Sequence, residues 1–135
     1  AGNIRDHQEL DAILRIYPAV QFMGPFREGS SQHLSLLESA HVFAMPSYYE
    51  TPGLSALEAA LYGLPIAITS VGGTREYFGS NADYCEPDDI NSIIHAIRSA
   101  RLRVHTSRSF VSDILNNYSW ANAASQTSKV YNSIL

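Results

Sequence analysis

Two carboxylates stand close together in "YYETPGLSALEAALYGLPIAITSVGG", residues 48–73: Glu50 and Glu58, separated by seven residues. Pro52, Gly53 and a run of small helix-forming residues fill the interval. Pro52 suits the first turn of a helix, where its missing N–H has no partner to lose. Thr51 is then the expected N-cap. Gly53 and Leu54 leave backbone N–H groups at the helix end, where the dipole also favours an anion, phosphate being a natural guest. Glu58, about a turn further in, is acceptor-only and can take two hydrogen bonds from a vicinal diol such as a ribose. Glu50, before the helix, can meet sugar hydroxyls. The arrangement predicts a ligand with a sugar, a phosphate and a second sugar in line. A plainer reading stands beside it: Glu50 only favours a helix N-terminus, and Glu58 only solvates a helix face.

These residues need elements to hold them. Four short apolar runs read as strands: 19–23 (AVQFM), 41–45 (HVFAM), 65–69 (PIAIT) and a weaker 83–85 (DYC). The first three do not alternate cleanly, as suits strands covered on both faces of a parallel sheet. Helical spacing recurs between them. Leu10, Ile13, Leu14 and Tyr17 share one face, and Leu34, Leu37 and Ala40 another, with Ser30 or Ser31 as cap. Leu54, Leu57 and Leu61 line a third helix, which Gly63 closes and Pro65 cannot prolong. Ile90, Ile93, Ile94 and Ile97 form the expected buried face of a fourth. Residues 107–135 read as two more helices, broken near "NNYSW" with Ser119 as cap. Alternating strands and helices predict an α/β domain with a doubly wound parallel sheet, Rossmann-like. Ligands of such sheets bind outside the C-terminal ends of the strands, which is where the 46–53 loop lies.

The chain has 135 residues, 45% hydrophobic and 16% charged, which suits one domain with a real core. A net charge of −4 argues against nucleic acid as a partner. Cys85 is the single cysteine, so no internal disulfide forms, and a reducing, cytoplasmic location is the simplest expectation. No apolar run approaches a membrane span, and the N-terminus lacks a signal-peptide layout. "AGNIRDHQEL" begins as if a strand had just ended at Ala1 and Gly2, as in a fragment cut from a longer protein.

Other groups were weighed against ordinary structural roles. His7, His33, His41, His95 and His105 lack paired ligand spacing, and there is no cysteine cluster, so no metal site is expected. Ser55 in "GLSAL" is not in a hydrolase elbow. Tyr48 and Tyr49 can stack on a ligand or pack at a strand end. Arg75 can reach a phosphate or pair with a nearby acid. Arg98, Arg101, Arg103 and Arg108 fit a solvated helix face better than a peripheral contact with the inner face of a membrane.

The stretch "PSYYETPGLSALEAALYGLPIAITSVGGTREYF" resembles the C-terminal donor-binding domain of retaining GT-B glycosyltransferases of group 1, family 4 type. The resemblance is carried in order by Pro46, Ser47, Glu50, Gly53, Leu54, Glu58, Ala59, Gly63, Pro65, Gly72, Gly73 and Glu76. "VQFMGPF" is similar to the strand and loop beside the nucleotide base, and "YSWANAASQTSKVY" to the closing helix. What this implies is the C-terminal half of a GT-B fold, spanning residues 1–135, with the earliest strands and the acceptor-binding domain lying before Ala1. It implies a hexosyltransferase that takes a nucleotide-diphosphate sugar as donor, needs no metal or other cofactor, and serves cell-surface polysaccharide or glycolipid synthesis. Glu58 would hold the ribose, Gly53 and Leu54 the diphosphate beside Thr51, and Glu50 the transferred sugar. Gly24, Pro25 and Phe26 would line the base pocket, and Gly72 and Gly73 the cleft, where missing side chains permit close approach. The acceptor, a sugar or a lipid, would bind through the N-terminal domain, and this chain alone would be inactive. Pro52 departs from the family pattern, which often has an aromatic residue there. Two alternatives remain at this point: another GT-B-like nucleotide-sugar enzyme, or a non-catalytic α/β binding module. A phosphorylase would need a cofactor lysine, and the single lysine, Lys129, lies near the C-terminus.

Overall fold

The computed structural model describes residues 7–103 and 105–134, in two compact units, 7–39 and 40–134. The sequence signals at Ala1 and Gly2 lie outside the described residues.

The first unit holds helix α1 (His7–Ile16) and helix α2 (Ser31–Ser39). The Ser30 hydroxyl accepts the His33 N–H at 3.3 Å, so Ser30 rather than Ser31 caps α2. The 19–23 run is not a strand. Residues 20–27 pair with nothing in a ladder, and Val20, Phe22 and Met23 are exposed. Apolar content supplies strand propensity, but a strand exists only where another offers a matching edge, and the described residues of the first unit contain none.

The second unit is built on strands β1 (Phe43–Met45), β2 (Ile66–Thr69) and β3 (Ala82–Cys85), parallel and in the order β1-β2-β3. Phe43 lies opposite Ile66, and Ile66 opposite Ala82. All four residues of β2 are buried. Its side chains alternate between two covered faces, as parallel strands require. Ala67 and Cys85 pack with Ala96 and Ala100 of helix α5 (Ile90–Leu102) on one face. Ile68 points to the other, toward Gly53 at the start of helix α3 (Leu54–Leu61). The sheet is therefore doubly wound.

α3 buries Ala56, Leu57, Ala59 and Ala60, while Leu54 is 70% exposed. Small alanines let the helix lie close to the sheet. Its end follows the expected pattern: Gly63 has φ 83°, its N–H donates to the Ala60 carbonyl at 2.9 Å, and the Leu64 N–H donates to Ala59 at 3.1 Å.

α5 corrects the isoleucine face. Ala96 and Ala100 are buried and Ile93 and Ile97 half-buried against the sheet, but Ile90 is 72% and Ile94 43% exposed. The helix turns its alanines inward because two close-packed layers leave little room, and the bulkier isoleucines at 90 and 94 fall on the outer arc. Asp89 caps α5, its carboxylate accepting the Asn91 N–H at 2.8 Å.

Helix α4 (Thr74–Phe78), one turn and a half between Gly73 and Gly79, was not expected as a helix. Its Phe78 is fully buried and meets Phe110 of helix α6 (Arg108–Asn117), ring centroids 5.8 Å apart. Helix α7 (Trp120–Ile134) follows after a break at 118–119, with Ser119 accepting the Asn122 N–H at 3.2 Å, as the sequence predicts. No helix among the described residues is long and apolar enough to cross a membrane.

Candidate functional site

The loops that leave β1 and β2 run side by side beyond the C-terminal ends of the strands. Glu50 and Gly72 form a further parallel bridge. The Glu50 N–H donates to the Val71 carbonyl at 3.2 Å, and the Gly73 N–H donates to the Glu50 carbonyl at 2.9 Å. This extra rung lies beyond the β1–β2 ladder and is shifted by one residue from its register, Phe43 facing Ile66 but Glu50 facing Gly72. It brings Glu50, Thr51, Gly72 and Gly73 together at the sheet edge.

The glycines make that approach feasible. Gly72 has φ 103°, and a Cβ there would collide with the Glu50 carbonyl. A Cβ on Gly73 would come within 2.7 Å of the Thr51 carbonyl oxygen. The space that these residues leave is filled by the neighbouring loop's backbone. The close approach that these glycines allow is that of the Glu50 and Thr51 backbone.

The start of α3 differs from expectation. Thr51 is not the N-cap and Pro52 is not the first helical residue. Because Glu50 is still bonded as a strand residue, the chain turns only at 51–53 and enters the helix through Gly53, at φ 67° and ψ 58°. Only glycine adopts this conformation without strain. A Cβ on Gly53 would also sit 3.0 Å from Met45 Cε and 3.1 Å from Ile68 Cδ1. The Gly53 carbonyl takes the Ala56 and Leu57 N–H groups at 2.9 and 3.0 Å. The Gly53, Leu54 and Ser55 N–H groups make no hydrogen bond among the described residues, so the donors at the start of α3 stand open.

No side chain caps α3 or α4 among the described residues. By contrast α2, α5, α6 and α7 each carry a serine or aspartate cap. Both α3 and α4 follow the bridged loops.

Glu50 is half-buried, and no described residue binds its carboxylate. Glu58 lies half-buried in α3, one turn past Leu54. Gly24, Pro25 and Phe26 belong to the first unit, in its extended stretch, Gly24 with φ 70°. Tyr48 and Tyr49 are exposed at 76% and 65%, which removes the strand-end packing role.

Several charged groups have other partners. Arg75 stacks over the Tyr84 ring, 4.2 Å from its centroid, rather than on an acid. Burial pushes the Tyr84 hydroxyl up from its ordinary value, with Arg75 opposing. Arg103 leaves the basic cluster: its Nε donates to Asp83 at 2.7 Å and its Nη1 to the Ser80 carbonyl at 3.1 Å. Arg98, Arg101 and Arg108 stay exposed. Cys85 is buried, as expected of a small apolar side chain.

Sequence reasoning missed Thr69 and Thr74, both fully buried. The Thr74 hydroxyl donates to the Thr69 carbonyl at 2.7 Å, and the Thr69 hydroxyl accepts the Val71 N–H at 3.2 Å. The available signal was a pair of threonines bracketing "SVGG", where a loop must be held without side chains of its own.

Comparison with known proteins agrees with this geometry. Residues 1–101 match the family described as Glycosyl transferases group 1. A glycogen synthase of Mycobacterium tuberculosis is 31% identical over 126 residues, covering 87% of this chain and 29% of that protein. An uncharacterized glycosyltransferase of Methanocaldococcus jannaschii is 32% identical over 138 residues, covering 97% of this chain and 35% of that protein. Sucrose-phosphate synthase from Thermosynechococcus elongatus shares the fold, with a TM-score of 0.73 at 24% identity over 98% of this chain and 37% of its own. The chain spans about a third of the length of the curated relatives it matches. With a doubly wound parallel sheet, two bridged loops at its C-terminal edge and this match, the chain belongs to the glycosyl transferases group 1 family and has a GT-B, Rossmann-like fold.

Proposed function

We propose that this chain is the donor-binding part of a longer retaining glycosyltransferase, a hexosyltransferase that uses a nucleotide-diphosphate sugar. The observation that carries the reading is the Glu50–Gly72 bridge, which sets an unpaired carboxylate beside two uncapped helix starts at the ligand edge of the sheet.

In this reading the Gly53, Leu54 and Ser55 N–H groups, with Thr51 shaping the turn, receive the diphosphate. Glu58 accepts hydrogen bonds from the ribose. Charge grows on the diphosphate as the sugar departs, and fixed N–H groups aimed at it lower that barrier without reorganising. Glu50 positions the transferred sugar and stabilises the oxocarbenium-like centre. The acceptor, a sugar or lipid of a cell-surface polysaccharide or glycolipid, binds to a separate N-terminal domain. The work takes place in the cytoplasm, at the inner membrane face where the acceptor is a lipid. No cofactor enters the scheme.

A thermal-shift panel of UDP, GDP, ADP and their common sugar conjugates tests it, on this chain and on Glu58→Ala. A ligand at 100 times its Kd adds about 2.7 kcal/mol of stability. One nucleotide is expected to stabilise the parent and to lose most of that effect in the variant. No shift in the parent, or an equal shift in Glu58→Ala, rejects the assignment.

A further inference from the structure

Thr69 and Thr74 are the buried polar side chains among the described residues, both at 0% exposure. A buried hydroxyl left unpaired costs about 1–3 kcal/mol, so the bonds these two make are structurally binding commitments. Thr69 ends β2 and Thr74 begins α4, so they bracket the 70–73 loop from both sides.

Each threonine bond lies next to a contact with Glu50. The Thr69 hydroxyl holds the Val71 N–H at 3.2 Å, and the carbonyl of the same Val71 receives the Glu50 N–H, also at 3.2 Å. The Thr74 hydroxyl is anchored on the Thr69 carbonyl at 2.7 Å, and its neighbour Gly73 gives its N–H to the Glu50 carbonyl at 2.9 Å. The backbone of Glu50 is therefore gripped at both its N–H and its C=O, and each grip is backed by a buried hydroxyl. The loop between them has Ser70, Val71 and two glycines. Left alone, two glycines would let it wander. The Glu50 carboxylate has no bond of its own among the described residues, so this backbone clamp fixes the point from which it extends.

We propose that Thr69 and Thr74 are positioning residues for Glu50, holding the 70–73 loop so that the carboxylate meets the donor sugar. The part that concerns the donor rests on the functional reading above; the clamp itself does not.

Amide hydrogen exchange on the whole chain, read residue by residue by NMR, tests the clamp without any ligand. Thr74→Val and Thr69→Val keep the side-chain shape and remove the hydroxyl; Thr74→Ser and Thr69→Ser keep the hydroxyl. Each valine variant is expected to speed exchange of the Glu50 and Gly73 amides at least about tenfold, while Ala67 and Ile68 in β2 change less than about twofold. Each serine variant is expected to restore the parent pattern. Unchanged Glu50 and Gly73 amides overturn the proposal. So does acceleration in step with Ala67 and Ile68, or failure of the serines to rescue. If the valine variants do not fold, the parent alone decides: Val71, Glu50 and Gly73 amides must open with one common free energy, and a freely exchanging Glu50 beside a protected Val71 overturns the clamp.

The functional arm compares UDP with UDP-glucose, GDP with GDP-mannose and ADP with ADP-glucose. Thr74→Val is expected to lose about tenfold in affinity for the sugar conjugate that binds the parent, and to keep its affinity for the bare nucleotide. Equal losses for both overturn the link to the sugar. Should the parent bind none of them, the donor reading fails, while the exchange result still upholds or overturns the clamp.

Discussion

At the scale of single residues, the site depends on what is absent as much as on what is present. Gly72 and Gly63 both have positive φ, 103° and 83°, yet they differ in surroundings. Nothing lies within 4 Å of a Cβ on Gly63, whereas one on Gly72 would run into the Glu50 backbone. Gly63→Ala is therefore expected to cost about 1 kcal/mol, the strain of a left-handed alanine. Gly72→Ala is expected to cost about 3 kcal/mol, because strain and a rigid backbone collision add. Urea denaturation of the two variants checks the difference, and equal losses would mean that the loops do not touch. The sequence showed Glu50, Glu58 and the glycine pair plainly as residue types at suggestive spacing. It did not show that the glycines serve Glu50, because a contact between Glu50 and Gly72 forms only where the two loops meet beyond the sheet and not from any local pattern.

At the scale of elements, α5 shows how packing overrides periodicity. Four isoleucines at helical spacing predict a buried face, but the sheet accepts alanines, and only Ile93 and Ile97 reach its edge. Ile93→Ala is expected to destabilise by about 2 kcal/mol through lost apolar contact. Ile90→Ala is expected to stay within about 0.5 kcal/mol, since the side chain is exposed. Thermal unfolding of both variants separates the two. Asp89→Ala, which removes the cap bond to Asn91, is expected to cost about 1 kcal/mol in the same assay. The start of α3 carries the same lesson. "TPG" reads as cap, first residue and second residue of a helix when seen alone. In the fold Glu50 remains a strand residue, which leaves Gly53 to make the turn.

At the scale of the whole molecule, the buried sheet makes stability depend on pH on the alkaline side. Burial pushes the Cys85 thiol up from its ordinary 9.0, with the Glu86 carboxylate adding to the effect. Burial likewise raises Tyr84 from its ordinary 10.0, with Arg75 opposing. The unfolded chain thus releases these protons at lower pH than the folded one. Where the folded state binds more protons, unfolding becomes easier as pH rises. Stability from Cys85 is complete below about pH 8 and falls as pH rises past its ordinary 9.0, and that from Tyr84 falls only past its ordinary 10.0. The urea midpoint is expected to hold between about pH 7 and 8 and to fall toward about pH 10, with a shallower fall in Cys85→Ala. A flat profile, or an identical slope in that variant, contradicts the assignment to Cys85. As for legibility, the sequence by itself determined the α/β class, all six helices it named, though not α4, the three strands of the sheet and the dense order of residues that marks the family. These are local signals: periodicity, caps, and the punctuation of glycine and proline. Only the tertiary structure decided that 19–23 is no strand, that Ile90 and Ile94 face out, that Gly53 starts α3, and that two buried threonines grip the loop beside Glu50. Each of these turns on a partner distant in the chain, an edge to pair with, a layer to pack on or a carbonyl to bond. Local pattern carries no information about such partners until the chain has folded.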